Sequence, residues 1–539
     1  MPARWTEPHE PHGARSCSII GRQPSTRRRG FGKAWSIFRA VTSPVISNIV
    51  DGTRWLKRHD PQLSQTGAVW RTEHATRASI IVDACDYFRI ARTAMLKARQ
   101  RIMLVGWDFD ARITLTEERC EDGGPETVGE FIYWLVERNP KLEVYLLRWD
   151  TGALGALFRG TTVLTVVKWM RHPRIHTKLD GHHPTGGSHH QKIMVIDDCF
   201  AFCGGIDMTG NRWDTREHLD DEAGRVGPGG KPYKPWHDAT SALQGPVAAA
   251  LGDLCRDRWQ RAGCAALLPI ESEHDCWPDN LNADFTDIDI SISRTVPEMA
   301  DQRAVTEIEQ LYVAQIARAK HMIYAESQYF ASRRIAEAIA ARLGEDDCPE
   351  IVIINPMTAE GWLQPVAMDS ARARLLEALR RRDRNARLRM YHPLTEGGQQ
   401  IYVHAKILII DDQILRIGSS NFNNRSMRLD TECDITIDAT VGHNTDRVAV
   451  ISSVRDGLIA EHLGIEAGAV TRHLQDHGSL FAVIDTLNKQ GRLKPFEQPD
   501  LSAVEKWLAD NEVLDPEGPA QMFEVRDRGG LFRNMFGRH

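Results

Sequence analysis

The sequence predicts an α/β protein made of two similar halves, and three observations carry that expectation. Strand-like and helix-like segments alternate from Arg71 onward. The alternation restarts after residue 300, which makes a long-period internal repeat. Each half ends on the same spaced trio of histidine, lysine and aspartate.

Taken in order, residues 1–66 stand apart. They hold eleven Lys/Arg against four acids, the composition of a basic, flexible arm. Within it, Lys33 to Val50 is partly apolar and also fits a helix on a membrane surface. Residues 71–265 form the first expected domain. Ile80 to Ala98 carries helical spacing and leads into a short buried strand at Arg101–Trp107. A helix near Val128–Glu137 and a strand at Leu142–Leu147 follow, and the Gly/Pro/Lys-rich stretch Gly227–Pro235 reads as a surface loop. The stretch Leu268–Asp289 is acidic and poor in helical pattern, so residues 266–300 are expected to be a linker. In the second domain, residues 301–470, strands at Met322–Ala325, Ile351–Ile354 and Leu388–Tyr391 alternate with helices at Arg333–Arg342 and Ser370–Arg381. Residues 471–539 remain as a C-terminal extension, with Leu531–Phe536 a frayed, partly apolar tail and contact with a membrane surface its alternative.

Bulk composition narrows the classes. A 539-residue chain with 42% hydrophobic and 26% charged residues is ordinary for a globular protein. A net charge of −6 gives no overall attraction to nucleic acid. No stretch approaches the roughly 18 consecutive apolar residues of a membrane span, and the basic N-terminus lacks the apolar core of a secretory signal. The expected location is the cytoplasm or the periphery of a membrane, with signal-less export left open. The ten cysteines include no CxxC pair, and a chain of this size does not need disulfides. Cys199 and Cys203, four apart in an apolar run, are expected on one face of a buried strand.

The chemistry lies in the repeat. The first half reads His190-Gln-Lys192-Ile-Met-Val-Ile-Asp197, six residues, then Gly204-Gly-Ile-Asp207. The second reads His404-Ala-Lys406-Ile-Leu-Ile-Ile-Asp411, six residues, then Gly418-Ser-Ser-Asn421. With 21 His, 14 Lys and 41 Asp, random placement gives roughly 0.04 matches to HxKxxxxD. Two matches with the same sequel are not chance. His176-Thr-Lys178 acts as a control, since His183 stands where the aspartate should be. In a strand, residues i and i+2 face one side, so each half presents an imidazole and an ammonium together from a rigid element. Asp207, Ser419 and Asn421 follow on glycines and can bind phosphate oxygens or neighbouring side chains.

These motifs resemble the phospholipase D superfamily, in the branch of phosphatidylcholine-cleaving phospholipases D, over roughly Arg71 to Gly464. Further stretches carry the likeness: Arg212-Trp-Asp214, Pro235-Trp-His-Asp238, Glu326-Ser-Gln-Tyr-Phe330, Asn423-Asn-Arg-Ser-Met427 and Glu461-His-Leu-Gly464. Ser327 departs from the pattern, where relatives commonly have Asn, and Asp207 is matched by Asn421 in the second half. The resemblance implies two phospholipase D-type domains, each a mixed sheet flanked by helices, packed as a pseudo-twofold pair around one active site. It implies His190 as nucleophile and His404 as acid/base. It also implies that Asp238 and Glu432 orient the two histidines from outside their motifs, with Asp197 and Asp411 completing the catalytic motifs as braces.

Those residue types suit a phosphodiester. One neutral histidine can attack phosphorus to give a phosphohistidine while the other, protonated, gives its proton to the leaving oxygen. Water then attacks the intermediate, and Lys192 and Lys406 stabilise the charge on the phosphoryl oxygens. No metal and no cofactor are expected, because the lysines supply the positive charge that Mg²⁺ supplies elsewhere. The histidines His182, His183, His189 and His190 are the one alternative metal cluster, with no further ligand cluster to complete it. Trp107, Trp149, Trp236 and Trp259 are expected in the core, with a lipid head-group pocket as the alternative. The expected reaction is hydrolysis of a glycerophospholipid to phosphatidate and a free head group, with transfer to alcohols beside it. A phospholipid or cardiolipin synthase and a nuclease are the rivals. The expected partner is a phospholipid surface, nucleic acid is not expected, and two motifs in one chain make a monomer sufficient.

Overall fold

The computed structural model describes residues 67–116, 122–150, 162–272, 274–358 and 365–497. The basic arm of residues 1–66 and the apolar tail Leu531–Phe536 lie outside the described residues.

The first half runs β1 (Arg71–Val82), α1 (Ala84–Leu96), β2 (Arg101–Gly106), α2 (Val128–Arg138), β3 (Glu143–Trp149), α3 (Thr162–Met170) and β4 (Ile175–Asp180). It continues through β5 (Ile193–Ile196), β6 (Phe200–Gly204), β7 (Trp236–His237), β8 (Ala239–Gln244) and α4 (Pro246–Arg261). The second half begins with β9 (Phe285–Val296), β10 (Val305–Thr306), α5 (Glu307–Arg318), β11 (Met322–Glu326), α6 (Arg333–Leu343), β12 (Glu350–Ile354), α7 (Pro365–Arg382) and β13 (Leu388–Pro393). Then come β14 (Tyr402–Val403), β15 (Ile407–Ile410), β16 (Ile414–Gly418), α8 (Asn424–Arg428), β17 (Glu432–Asp438) and α9 (Val448–Leu463). The chain closes with α10 (Ala467–His477), α11 (Leu480–Leu487) and β18 (Leu493–Pro495).

A 16-stranded mixed sheet crosses both halves in the order β18-β13-β12-β11-β15-β16-β17-β9-β1-β8-β6-β5-β2-β3-β4, with β10 paired to β9 off this path. Apart from β18 it is a palindrome about the antiparallel β1–β9 pair, where Thr72 faces Ser291 and Ala75 faces Ile288. Each outer wing is parallel (β2, β3, β4 and β11, β12, β13) and each inner part antiparallel. This is the pseudo-twofold pair of mixed sheets flanked by helices. One apolar layer continues across the join, where Val247, Leu251 and Leu254 of α4 share a cluster with Ile288, Ile292, Leu458 and Ile459.

The motif strands β5 and β15 are apolar at every position because both faces are covered. Burying each such side chain contributes about 1.5–3 kcal/mol, so the register of the His-x-Lys segment just before each strand is firmly set. Each strand ends in two consecutive left-handed residues, Asp197–Asp198 (φ 49° and 52°) and Asp411–Asp412 (φ 51° and 57°). Aspartate tolerates that region better than most residues.

Four expectations need correcting. The helix read from Ile80 starts at Ala84, because the β-branched Ile80, Ile81 and Val82 continue β1 against β8. The linker 266–300 contains β9, which is central to the sheet. Its apolar residues Phe285, Ile288, Ile290 and Ile292 are buried while Asp287 and Asp289 point outward, and that outward face made the segment read as acidic loop. The C-terminal extension does not begin at 471, since α10 starts at Ala467 and β18 pairs with β13. Finally, Cys199 lies in the β5–β6 turn and is disulfide-bonded to Cys276, so it does not share a strand face with Cys203. Among the described residues, no helix is long and apolar enough to cross a membrane.

Candidate active site

His190 and His404 line one cavity of about 480 Å³. Each sits just before its motif strand, fixed by the backbone of the opposite half. His190 N–H donates to the Thr431 carbonyl (3.0 Å) and His404 N–H donates to the His237 carbonyl (2.7 Å).

The side chains are crossed in the same way. His190 Nδ1 lies 3.0 Å from Glu432 Oε2, and His404 Nδ1 lies 2.6 Å from Asp238 Oδ2. Both carboxylates are fully buried. Each histidine therefore depends on an acid from the other half, and neither half holds a complete site. A carboxylate on Nδ1 leaves Nε2 as the ring nitrogen available for chemistry.

The lysines lie alongside. Lys192 Nζ is 3.2 Å from Asp207 Oδ2 and donates to the His190 carbonyl (2.9 Å), while Lys406 Nζ donates to the His404 carbonyl. Burial, followed by the two lysine charges, holds His190 well below the usual histidine range. Burial, then Lys406 and Arg212, does the same to His404. Burial also brings Lys406 down to about 7 and pushes the Glu432 carboxyl well up. Both imidazoles are thus poised neutral, as a nucleophile requires. A bound phosphodiester, being anionic, favours protonation of one of them.

The remaining expected site residues divide. Asp207 and Asn421 line the cavity, and Asn421 Nδ2 donates to Gln328 Oε1 at 3.3 Å. Ser419 was expected among the substrate-binding groups, but it is fully buried behind the site and donates to Glu432 Oε2 (2.5 Å). Asp197 and Asp411, the last residues of the two motifs, accept backbone N–H bonds at the far end of each motif strand. Asp197 takes those of Arg99, Gln100 and Arg101 (2.6–2.8 Å), and Asp411 those of Lys320, His321 and Met322 (2.6–2.8 Å). Both are braces that do not face the cleft. Trp107, Trp149 and Trp236 line the cavity, contrary to the core expectation, whereas Trp259 packs edge-on against Tyr145 at 5.1 Å. Gln328, Tyr402, Asn423 and Arg425 also line it. Most of these fall inside or beside the stretches that carried the family likeness, the one sequence signal that pointed to them.

The four neighbouring histidines do not form a metal cluster. His182 pairs with Asp301, His183 with Asp150, His189 with Asp180 and His190 with Glu432. A different group has the geometry to hold a divalent cation: Asp83, His218, His237 and Glu461, all buried. His218 Nε2 lies 3.4 Å from Asp83 Oδ2 and 3.1 Å from Glu461 Oε1. His237 Nδ1 lies 3.3 Å from Asp83 Oδ1 and 2.6 Å from Glu461 Oε1. The outer nitrogens are held by Asp214 (3.0 Å) and Glu326 (2.7 Å), the usual arrangement for ligating histidines. Burial alone would depress both histidines, yet the surrounding carboxylates raise His218 to about 9 and His237 well above its usual value. The cluster abuts the site, because Asp83 Oδ1 accepts the N–H of Asp238 (3.0 Å).

Comparison with known proteins bears on the family and the fold. A family model described as "Phospholipase D" matches residues 94–336, and one described as "Cardiolipin synthase, PLD-like domain" matches residues 312–449. Phospholipase D alpha 1 of Carica papaya is 24% identical over 514 residues, covering 69% of this chain and 63% of the relative. Phospholipase D alpha 1 of Zea mays is 25% identical over 516 residues, with the same coverage of 69% and 63%. The match therefore spans less than two thirds of the length of these relatives. Among solved structures, phosphatidylserine synthase of Haemophilus influenzae Rd KW20 superposes with a TM-score of 0.51 at 14% identity. That superposition covers 81% of this chain and 99% of the other, and it supports the fold.

Proposed function

We propose, starting from a chain that belongs to the phospholipase D superfamily, that it hydrolyses a glycerophospholipid to phosphatidate and a free head group. His190 Nε2 attacks phosphorus and His404 protonates the leaving oxygen. His404 then deprotonates the water, or alcohol, that releases the phosphatidyl group. Lys192 and Lys406 hold the phosphoryl oxygens. The observation that carries the reading is the crossed pair of His–carboxylate contacts on one cavity. The substrate sits in a phospholipid surface, and one chain supplies both halves of the site. Residues 312–449, which match the cardiolipin synthase-type model, keep phosphatidyl transfer to a lipid alcohol as the second reading.

The test incubates purified protein with phosphatidylcholine, phosphatidylglycerol and single-stranded DNA, with product analysis by mass spectrometry. Phosphatidate with free head group is expected, and phosphatidylethanol when ethanol is added. Cardiolipin as the sole product from phosphatidylglycerol would move the assignment to the synthase. Cleavage of DNA alone would sink both lipid readings.

A further inference from the structure

Arg212 lines the cavity beside His404 and, among the described residues, makes no ion pair or hydrogen bond to a carboxylate. Its guanidinium carbon lies 4.1 Å over the Trp236 ring, and that ring lies 5.2 Å from the His404 ring. Its one hydrogen bond among the described residues runs from Nη1 to the Asn211 carbonyl (3.1 Å), and its buried Nε has no acceptor. Other cations of the cleft are matched: Lys192 by Asp207 (3.2 Å) and Arg425 by Asp430 (2.8 Å). Arg212 thus adds a positive charge that no carboxylate holds in an ion pair, with Asp238 acting on it only at longer range, next to a centre where two lysines already await the reacting phosphate.

The aromatic groups point the same way. Trp236 carries Arg212 over its ring and Tyr402 stacked at 4.6 Å, so its faces are already engaged. Trp107 and Trp149 stack on each other at 5.8 Å. Trp236, the ring beside Arg212, is therefore not free to take a quaternary ammonium on its face. A planar guanidinium with free donors is instead suited to a carboxylate or phosphate.

We propose that the cleft selects phosphodiesters whose leaving arm carries a second oxyanion, and that Arg212 is the residue that binds it. This rests on the phosphodiesterase reading, in which His404 serves the leaving oxygen and the leaving arm therefore passes Arg212. The ligand class is an oxyanion a few bonds beyond the reacting phosphate, either a carboxylate or a further phosphate.

Short-chain phosphatidylglycerol and phosphatidylglycerol phosphate differ only in that second oxyanion. Wild type is expected to turn over the phosphate-bearing lipid with about tenfold higher kcat/KM, mostly through KM. In Arg212→Gln that ratio should fall to within about twofold of unity, with Arg212→Lys between the two. A wild-type ratio near one overturns the proposal. So does an equal loss on both lipids in Arg212→Gln, because Arg212 would then serve the reacting phosphate. If neither lipid is cleaved, the hydrolase reading fails, and calorimetry still decides this one. 1,3-Propanediol bisphosphate should bind wild type about tenfold more tightly than propyl phosphate, and Arg212→Gln should lose the difference. Equal affinities in wild type overturn the proposal.

Discussion

His190 in the first half and His404 in the second are held alike by a buried acid from across the join, yet the two acids are built differently. Glu432 reaches His190 on a longer side chain and receives the Ser419 hydroxyl at 2.5 Å. Asp238 reaches His404 on a shorter one, and Gly205 stands at the position of Ser419, where an added Cβ would collide with the Asp238 carboxylate. Asp238 also accepts the Ala239 N–H (2.8 Å), and its own N–H is tied to Asp83 (3.0 Å). The lysines differ too. Lys192 has Asp207 as counter-ion, while the equivalent position after Lys406 is the neutral Asn421. A pair of identical motifs has therefore acquired unequal electrostatics, which is what assigning different protonation roles to two histidines requires.

The largest effect expected from breaking the comparison is at the histidines themselves. His190→Ala and His404→Ala should each reduce turnover of a choline diester by roughly ten-thousandfold. They should separate on a p-nitrophenyl diester, whose leaving group needs no proton. There His404→Ala regains activity and His190→Ala does not, and only His404→Ala still forms the covalent intermediate after acid quench. The reverse pattern would exchange the roles.

Next in size are the crossed acids. Asp238→Asn and Glu432→Gln keep the shape but remove the charge that orients each imidazole. Each should lower kcat by roughly a hundredfold or more with KM little changed. Because the acids act across the join, Glu432→Gln should copy the His190 phenotype and Asp238→Asn the His404 phenotype on the p-nitrophenyl diester. If each acid instead copied the histidine of its own half, the crossed arrangement would be wrong.

The lysines sharpen the comparison through pH. Burial holds Lys406 at about 7. Its protonated, oxyanion-binding form is complete below that value and is lost as pH rises through it. kcat/KM for a soluble diester, which reports the free enzyme, should therefore fall above pH about 7. Asn421→Asp would copy the first half's counter-ion and move that fall to higher pH. An alkaline limb unaffected by Asn421→Asp would assign it to another group.

How much of this was readable beforehand follows from the range of each interaction. His190 and Lys192 are two residues apart on an extended segment, so their shared direction was plain in the chain, as was the repeat that became the sheet's palindrome. Glu432 lies 242 residues from His190, and Asp238 lies 166 from His404. No spacing rule connects such pairs, and only the family likeness indicated them. The cluster of Asp83, His218, His237 and Glu461 is gathered from across the chain, and it was missed for that reason. The strand β9 was missed for another reason. It carries Asp284, Asp287 and Asp289 at or near its start, and composition masked an alternation that burial later made clear.

The smallest expected effect tests the support of Glu432. Burial pushes this carboxyl well above its usual value, and the hydrogen bond from Ser419 is the first influence pulling it back. Orientation of His190 needs Glu432 ionised, so activity is present above the Glu432 pKa and is lost as pH falls through it. Ser419→Ala removes the donor, raises that pKa further, and should move the acid limb of kcat/KM to higher pH. A charge-assisted hydrogen bond of this kind contributes about 1.5–3 kcal/mol, or roughly one to two pH units of limb position. At the pH optimum the loss should be only a few-fold, since the carboxylate stays between His190 and the wall of the site. Gly205 provides the contrast in the other half. It offers no hydroxyl to Asp238, and any side chain added there displaces the acid from His404, so Gly205→Ser should damage turnover at every pH. An acid limb that stays fixed in Ser419→Ala would mean that the limb does not belong to Glu432. The two acids would then have to be told apart by something other than their neighbours at positions 205 and 419.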